Sequence, residues 1–139
     1  MIKQINADDK KYLENIKAED VVIKDFRKLK AYQLSLELIK SIILIANRLP
    51  KHETYVLKDQ ILRASYGVAS QISEGNGGLY TKREIQFCST ATASLCEVQA
   101  WLDICVLNNY ITVEEEMNLE RIAVEIKSLL VTYVRELIL

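Results

Sequence analysis

Cys88, Ala91, Leu95, Val98, Leu102 and Cys105 fall three or four residues apart without interruption. At 3.6 residues per turn that spacing returns to one side of a helix, whereas a strand, with its period of two, would scatter it over both faces. The same rhythm governs most of the chain. Leu57, Ile61, Ala64, Val68 and Ile72 form one stripe, and Leu119, Ile122, Ile126, Leu129, Tyr133 and Leu137 another. The segment from Leu29 carries two stripes. Leu29, Tyr32, Leu36, Ile39, Ile43 and Ala46 run beside Leu34, Leu38, Ile42, Ile45 and Leu49, so this helix is expected to touch neighbours on two sides. One Pro and four Gly in 139 residues leave little to interrupt these helices, and half the residues are apolar, enough for one sizeable core.

Punctuation divides the pattern into four. Pro50 closes the first helix; the second is expected to begin near Glu53 and stop at Gly75. Thr81–Glu84 and Thr112–Glu115 both read T-x-x-E, the capping box in which two side chains satisfy backbone N–H groups left free at a helix start. The run NNY at 108–110 breaks the third helix. Four amphipathic helices with short connections predict an all-α, antiparallel up-down four-helix bundle over residues 26–139. Residues 1–25 read as a short N-terminal appendage, with Asn6 capping a short helix that carries Tyr12, Leu13 and Ile16.

Composition excludes several classes. Lys and Arg number 18 against 19 Asp and Glu, so no global positive field draws nucleic acid. The charge is unevenly spread: residues 1–63 carry 13 basic and 9 acidic side chains, the remainder 5 and 10. That split suits solvated helix faces first, and head-to-tail association second. The longest uninterrupted apolar run, Ile42 to Ala46, is far too short to span a bilayer, and the first residues lack a signal peptide's apolar stretch, so a cytoplasmic chain with no membrane contact is expected. Three cysteines agree with a reducing compartment.

Catalytic and metal chemistry find no footing. The single histidine, His52, stands in a loop beside Pro50 with no triad partner in view. The cysteines at 88, 96 and 105 are too far apart along one helix to share a metal, and the Glu-x-x-His pairs of di-iron bundles are missing. EGNGG at 74–78 resembles a phosphate-cradling loop, but it follows a helix and lacks an adjacent Lys-Ser/Thr; its glycines read better as a C-cap and tight turn. The chain is therefore expected to be no enzyme and to need no cofactor or metal.

One stretch stands apart. YGVASQISEGNGG at 66–78 fills a helix with small residues and places Glu74 at its C-terminal end, where the helix dipole disfavours a carboxylate. Gln60, Arg63, Gly67, Gln71 and Glu74 make a polar stripe among Ala64, Ser65, Ala69, Ser70 and Ser73, thin side chains that permit close backbone approach. A neighbouring helix of the same chain, a subunit contact or a ligand groove near Glu74 would each use it. Phe87, Ser94 and Trp101, seven apart, flank the next helix's seam and would form an apolar patch if exposed.

Three segments, FRKLKAYQLSLELIKSI at 26–42, QILRASYGVASQISEGNG at 60–77 and FCSTATASLCEVQAWL at 87–102 followed by NNYI, together resemble the bacterial four-helix-bundle proteins encoded within 23S rRNA intervening sequences. The likeness spans about residues 26–137. It implies a ring-like homopentamer without known catalytic activity, and a kinship to accessory proteins of reverse transcriptases in diversity-generating retroelements. Family members often carry Arg where Gly78 stands, a departure that argues against a phosphate loop here. Two functions follow as expectations. The first is a non-catalytic, self-associating scaffold whose helix-packing or subunit contacts are Gln60, Arg63, Gly67, Gln71, Glu74, Phe87 and Trp101. The second is an RNA-binding or reverse-transcriptase accessory subunit using Lys24, Arg27, Lys28, Lys30, Arg48, Lys51 and Lys58 as a basic patch.

Overall fold

The computed structural model describes residues 18–79 and 81–139. Four helices carry the fold: α1 (Lys30–Ala46), α2 (Leu57–Gly77), α3 (Thr81–Leu107) and α4 (Val113–Ile138). Single 3-10 turns stand at Ala18–Asp20, Phe26–Lys28 and Lys51–Glu53, and the described residues contain no strand. Helix α1 packs on α2 and α4, and α3 packs on the same two, while the backbones of the diagonal pairs stay apart. This is the expected all-α four-helix bundle, each helix running back beside the one before it. The short helix expected from Asn6 lies outside the described residues.

The helix ends differ from expectation in instructive ways. Helix α2 starts at Leu57 rather than near Glu53, because the 3-10 turn after Pro50 and the irregular backbone at Val56 (φ −120, ψ −95) intervene. It also continues through Gly75 to Gly77, and its C-cap, Gly78, is extended at φ −69. No described glycine has a positive φ. Gly75 is small for another reason: a Cβ there would lie 2.6 Å from the Cβ of Phe87 on α3. The left-handed residue that ends a helix is Asn109 (φ 58), after α3. Tyr110 N–H donates to Cys105 O and Asn109 N–H to Val106 O, the paired bonds of a Schellman motif, so NNY stops α3 as its composition predicts.

The core is formed by the seams. Ile61, Val68, Ala91, Leu95, Val98, Leu102, Cys105 and Ile126 have no exposed surface. On α1 the second stripe supplies most of the buried line: Leu38, Ile42 and Ile45 lie inside with Ala31, Ser35 and Ala46, the last from the first stripe, whereas Leu36 of the first stripe is exposed. On α4 the buried line is Leu119, Ala123, Ile126 and Leu130, with Ile122, Leu129 and Tyr133 at its edge.

Candidate functional site

At one end of the bundle the turn from α2 to α3 closes over a buried polar hub. Gly75 lets the two helices touch, which carries the neighbouring Asn76 inside, 5 % exposed. Glu84, one turn into α3, is 1 % exposed. Its Oε1 accepts from Asn76 Nδ2 (3.0 Å) and from the Tyr133 hydroxyl of α4, and its Oε2 from Lys24 Nζ (2.7 Å). Asn76 Nδ2 also donates to the Tyr133 oxygen at 3.1 Å, closing a triangle. A buried carboxylate persists only when charge and donors answer it, and three residues from three parts of the chain do so here. The surroundings register the charge. Burial, then the bond to Glu84, pushes the Tyr133 hydroxyl well above the ordinary tyrosine range, and burial, then the Glu84 charge, pushes the Cys88 thiol up to about 11.

One atom of the hub is unsatisfied. Asn76 Oδ1 is buried and has no hydrogen-bond partner. Such an acceptor costs about 1–3 kcal/mol relative to a paired one. Asn76 and Tyr133 line a cavity of about 210 Å³ whose other walls are mainly apolar, among them Leu29, Ala31, Ile72 and Leu130.

The polar stripe proposed on α2 is divided by the fold. Gly67 lies near α3, where an added Cβ would meet Ser94 Oγ at 3.6 Å, and Gln71 Oε1 accepts from Ser94 Oγ at 2.9 Å. Ala64, Ser65 and Ala69 are buried in the bundle, and Ser65, Ser70 and Ser73 each donate to the carbonyl three residues before. Gln60, Arg63 and Glu74 remain exposed, Arg63 pairing with Asp59 at 2.9 Å. Phe87 is half-buried with the Arg83 guanidinium 5.1 Å above its ring; Trp101 packs at the core's edge and donates to Glu97 at 3.2 Å.

The basic residues fall into two groups. Lys24, Arg27, Lys28 and Lys30 precede or open α1, while Arg48, Lys51 and Lys58 follow it; 17 helical residues put roughly 25 Å between the groups. Several are engaged. Lys24 pairs with Glu84, Lys30 with Glu125 at 3.2 Å, and Arg48 grips both oxygens of Glu115 at 2.5 and 3.1 Å. Arg27 sits 4.5 Å over the Phe26 ring. Lys28 and Lys51 are exposed and Lys58 is half-buried.

The outer face of α4 was missed in the sequence reading. Met117, Val124, Val131 and Ile138, seven residues apart, are all exposed, as is Val113 at the helix start. Arg121, Ser128 and Arg135 alternate with them. Next to Val131 and Val134 a groove of about 480 Å³ runs between α4 and Ile85 and Thr92 of α3. The signal was present as a seven-residue column beside the seam, but it was hidden because the seam itself satisfied the helix pattern. Among the described residues no cluster of His, Cys, Asp or Glu could hold a metal, and no helix is long and apolar enough to cross a membrane.

Comparison with known proteins places this architecture. The model of the family described as 23S rRNA-intervening sequence protein matches residues 27–132. A crystal structure of a protein of unknown function from the S23 ribosomal protein family of Bacteroides thetaiotaomicron superposes with a TM-score of 0.69 at 24% identity, over 75% of this chain and 97% of that one. No curated protein matches the chain.

Proposed function

The chain belongs to the 23S rRNA-intervening sequence protein family, and from that premise we propose that it is a non-catalytic, self-associating helical scaffold. The observation that carries this reading is the column Met117, Val124, Val131 and Ile138 on α4. Val124 and Val131 are 47% and 42% exposed on the middle of a regular helix, where a chain acting alone gains solubility from polar residues. Heptad spacing is the pattern by which one helix face fits another, and Arg121 and Arg135 flank the column as rim charges would. The family resemblance adds a ring of five copies in the cytoplasm. In such a ring Gln60, Arg63 and Glu74, the exposed members of the α2 stripe, are available as further subunit contacts.

Light scattering coupled to size exclusion at micromolar concentration tests this directly. The expected mass is a multiple of the 15.9 kDa chain. Val124→Glu with Val131→Glu is expected to give a monomer of unchanged helical circular dichroism, because both side chains leave the core untouched. A clean wild-type monomer would remove the proposal.

The second reading, an RNA-binding or reverse-transcriptase accessory subunit, rests on the exposed Arg27, Lys28 and Lys51. The commitments of Lys24, Lys30 and Arg48 to acidic partners weaken it, because a paired cation offers less to a phosphate. Filter binding to structured RNA across a salt series decides it, since phosphate contacts require affinity to fall as salt rises.

A further inference from the structure

Resting on the self-association reading above, we infer that the receiving surface is the outer face of α1 and α2, so that the α3–α4 face of one copy docks on the α1–α2 face of the next. Contacts run α1, α2, α3, α4 around the bundle, which puts these two faces on opposite sides of the molecule. The α1–α2 face is a second apolar surface. On α1, Ser41, Leu44 and Arg48 line the groove toward α4, and Leu36, Ile39 and Ile43 lie on the other side of the helix, toward α2. On α2, Gly67 and Gln71 meet Ser94 of α3, and Leu62 and Tyr66 turn the other way, toward α1. Leu36 and Tyr66 are 47% and 48% exposed, much as Val124 and Val131 are, and Ile39, Ile43 and Leu62 are half-buried.

Charge decides that unlike faces meet. Residues 24–77, with α1 and α2, hold nine basic and five acidic side chains, whereas 81–138, with α3 and α4, hold five and nine. Part of the acidic excess lies beside the α4 column. Glu116 and Glu120 stand one turn apart next to Met117 and Val124, and Asp103 joins them from α3. The Glu116 carboxyl is pushed up, first by its hydrogen bond with Asp103, then by burial and by the charges of Asp103 and Glu120. Lys127 leaves this cluster unanswered, its Nζ donating to Gln99 Oε1. On the opposite face Lys40 falls between Leu36 and Ile43, and Lys58 one turn before Leu62; among the described residues neither is paired with an acid. The Arg48–Glu115 pair shows that α4 starts at the end of the bundle where α2 begins. Copies standing side by side the same way up therefore bring Lys58 toward Glu116 and Glu120, while Leu36 and Tyr66 meet Val124 and Val131. Pairing α4 on α4 would join two net-negative halves and leave both α1–α2 faces bare. Because the meeting faces differ, the contact is heterologous, and its repetition closes a ring or runs on as a filament.

The test is complementation between two full-length variants. Val124→Glu with Val131→Glu breaks one face and Leu36→Glu with Tyr66→Glu the other; each double variant alone is expected to be a monomer of unchanged helical circular dichroism. Mixed in equal amounts at the concentration of an NMR sample, they are expected to form a one-to-one dimer, since each keeps the face that the other lacks. The two broken faces at its ends stop further growth. Sedimentation equilibrium reads the mass against the 15.9 kDa chain. Lys40→Glu with Lys58→Glu leaves every apolar residue in place and so guards against a folding defect; it is expected to weaken assembly by at least about tenfold, because like charges then face each other. A Leu36→Glu, Tyr66→Glu chain that assembles as the wild type does, a mixture that stays monomeric, or a lysine variant of unchanged affinity overturns the inference while self-association stands. A monomeric wild type removes self-association itself, and the inference with it.

Discussion

Thr81–Glu84 and Thr112–Glu115 are the same four-residue pattern at the start of two adjacent helices, and the fold uses them oppositely. At 112–115 the local rule holds: the Thr112 hydroxyl accepts from Glu115 N–H and the Glu115 carboxylate accepts from Thr112 N–H, both at 3.1 Å. Arg48 joins from the turn after α1, and Tyr110 O accepts from one of its guanidinium nitrogens. The cluster is open to water. At 81–84 the helix already begins at Thr81, and Glu84 turns its carboxylate inward onto Lys24, Asn76 and Tyr133. The same Thr and Glu at the same spacing thus yield a surface clasp at one site and a buried hub at the other. Gly75 permits the difference: a side chain there would clash with Phe87, and its absence lets α2 and α3 approach closely beside the buried Glu84.

The comparison is broken most severely at Glu84. Glu84→Ala leaves the Asn76 amide and Tyr133 hydroxyl buried without their acceptor, and is expected to cost about 3 kcal/mol in denaturant unfolding, though Lys24, one-third exposed, can swing into water. Gly75→Ala comes next. Alanine improves helix propensity by about 1 kcal/mol, but the 2.6 Å approach to Phe87 Cβ forces the helices apart, for a net loss of about 1–2 kcal/mol. Phe87→Ala keeps the clashing Cβ and is expected not to rescue it.

Glu115→Gln is expected to cost below about 1 kcal/mol, as exposed ion pairs do. Its effect should depend on pH. The bond to Arg48, followed by the Thr112 N–H, holds the Glu115 carboxyl at about 2 rather than its ordinary 4.5. A depressed carboxyl stabilises fully above the unfolded value and loses that contribution as pH falls toward the folded one. The difference in thermal midpoint between wild type and Glu115→Gln should therefore be constant above about pH 4.5 and shrink between there and about 2. The smallest effect is a change of reactivity without a change of stability. Cys88, near the hub, and Cys105, where burial and then Glu53 and Glu116 act, are both pushed up to about 11, whereas Cys96 is exposed. Iodoacetamide at mildly alkaline pH should label Cys96 alone in the native chain and all three thiols in denaturant.

The number, order and class of the helices were legible because apolar spacing survives any arrangement that buries it. The seams of α2 and α3 were read residue for residue, and NNY ended α3 as read. The core line of α1 was not, since two stripes of equal hydrophobicity compete there and only the position of α2 and α4 around it chooses Leu38 and Ile42 over Leu36. The hub was illegible for a related reason. Lys24, Asn76, Glu84 and Tyr133 share no spacing, and each has an ordinary local reading as a surface lysine, a turn asparagine, a cap or a seam edge.

By itself the sequence determined four helices and which residues could line a core, because hydrophobic periodicity is a property of the chain and acts over a few turns. Tertiary structure alone decided which way each ambiguous helix turned, which of two like carboxylates left water, and which apolar column stayed outside. Burial depends on what lies opposite, and that neighbour is contributed by residues tens of positions away.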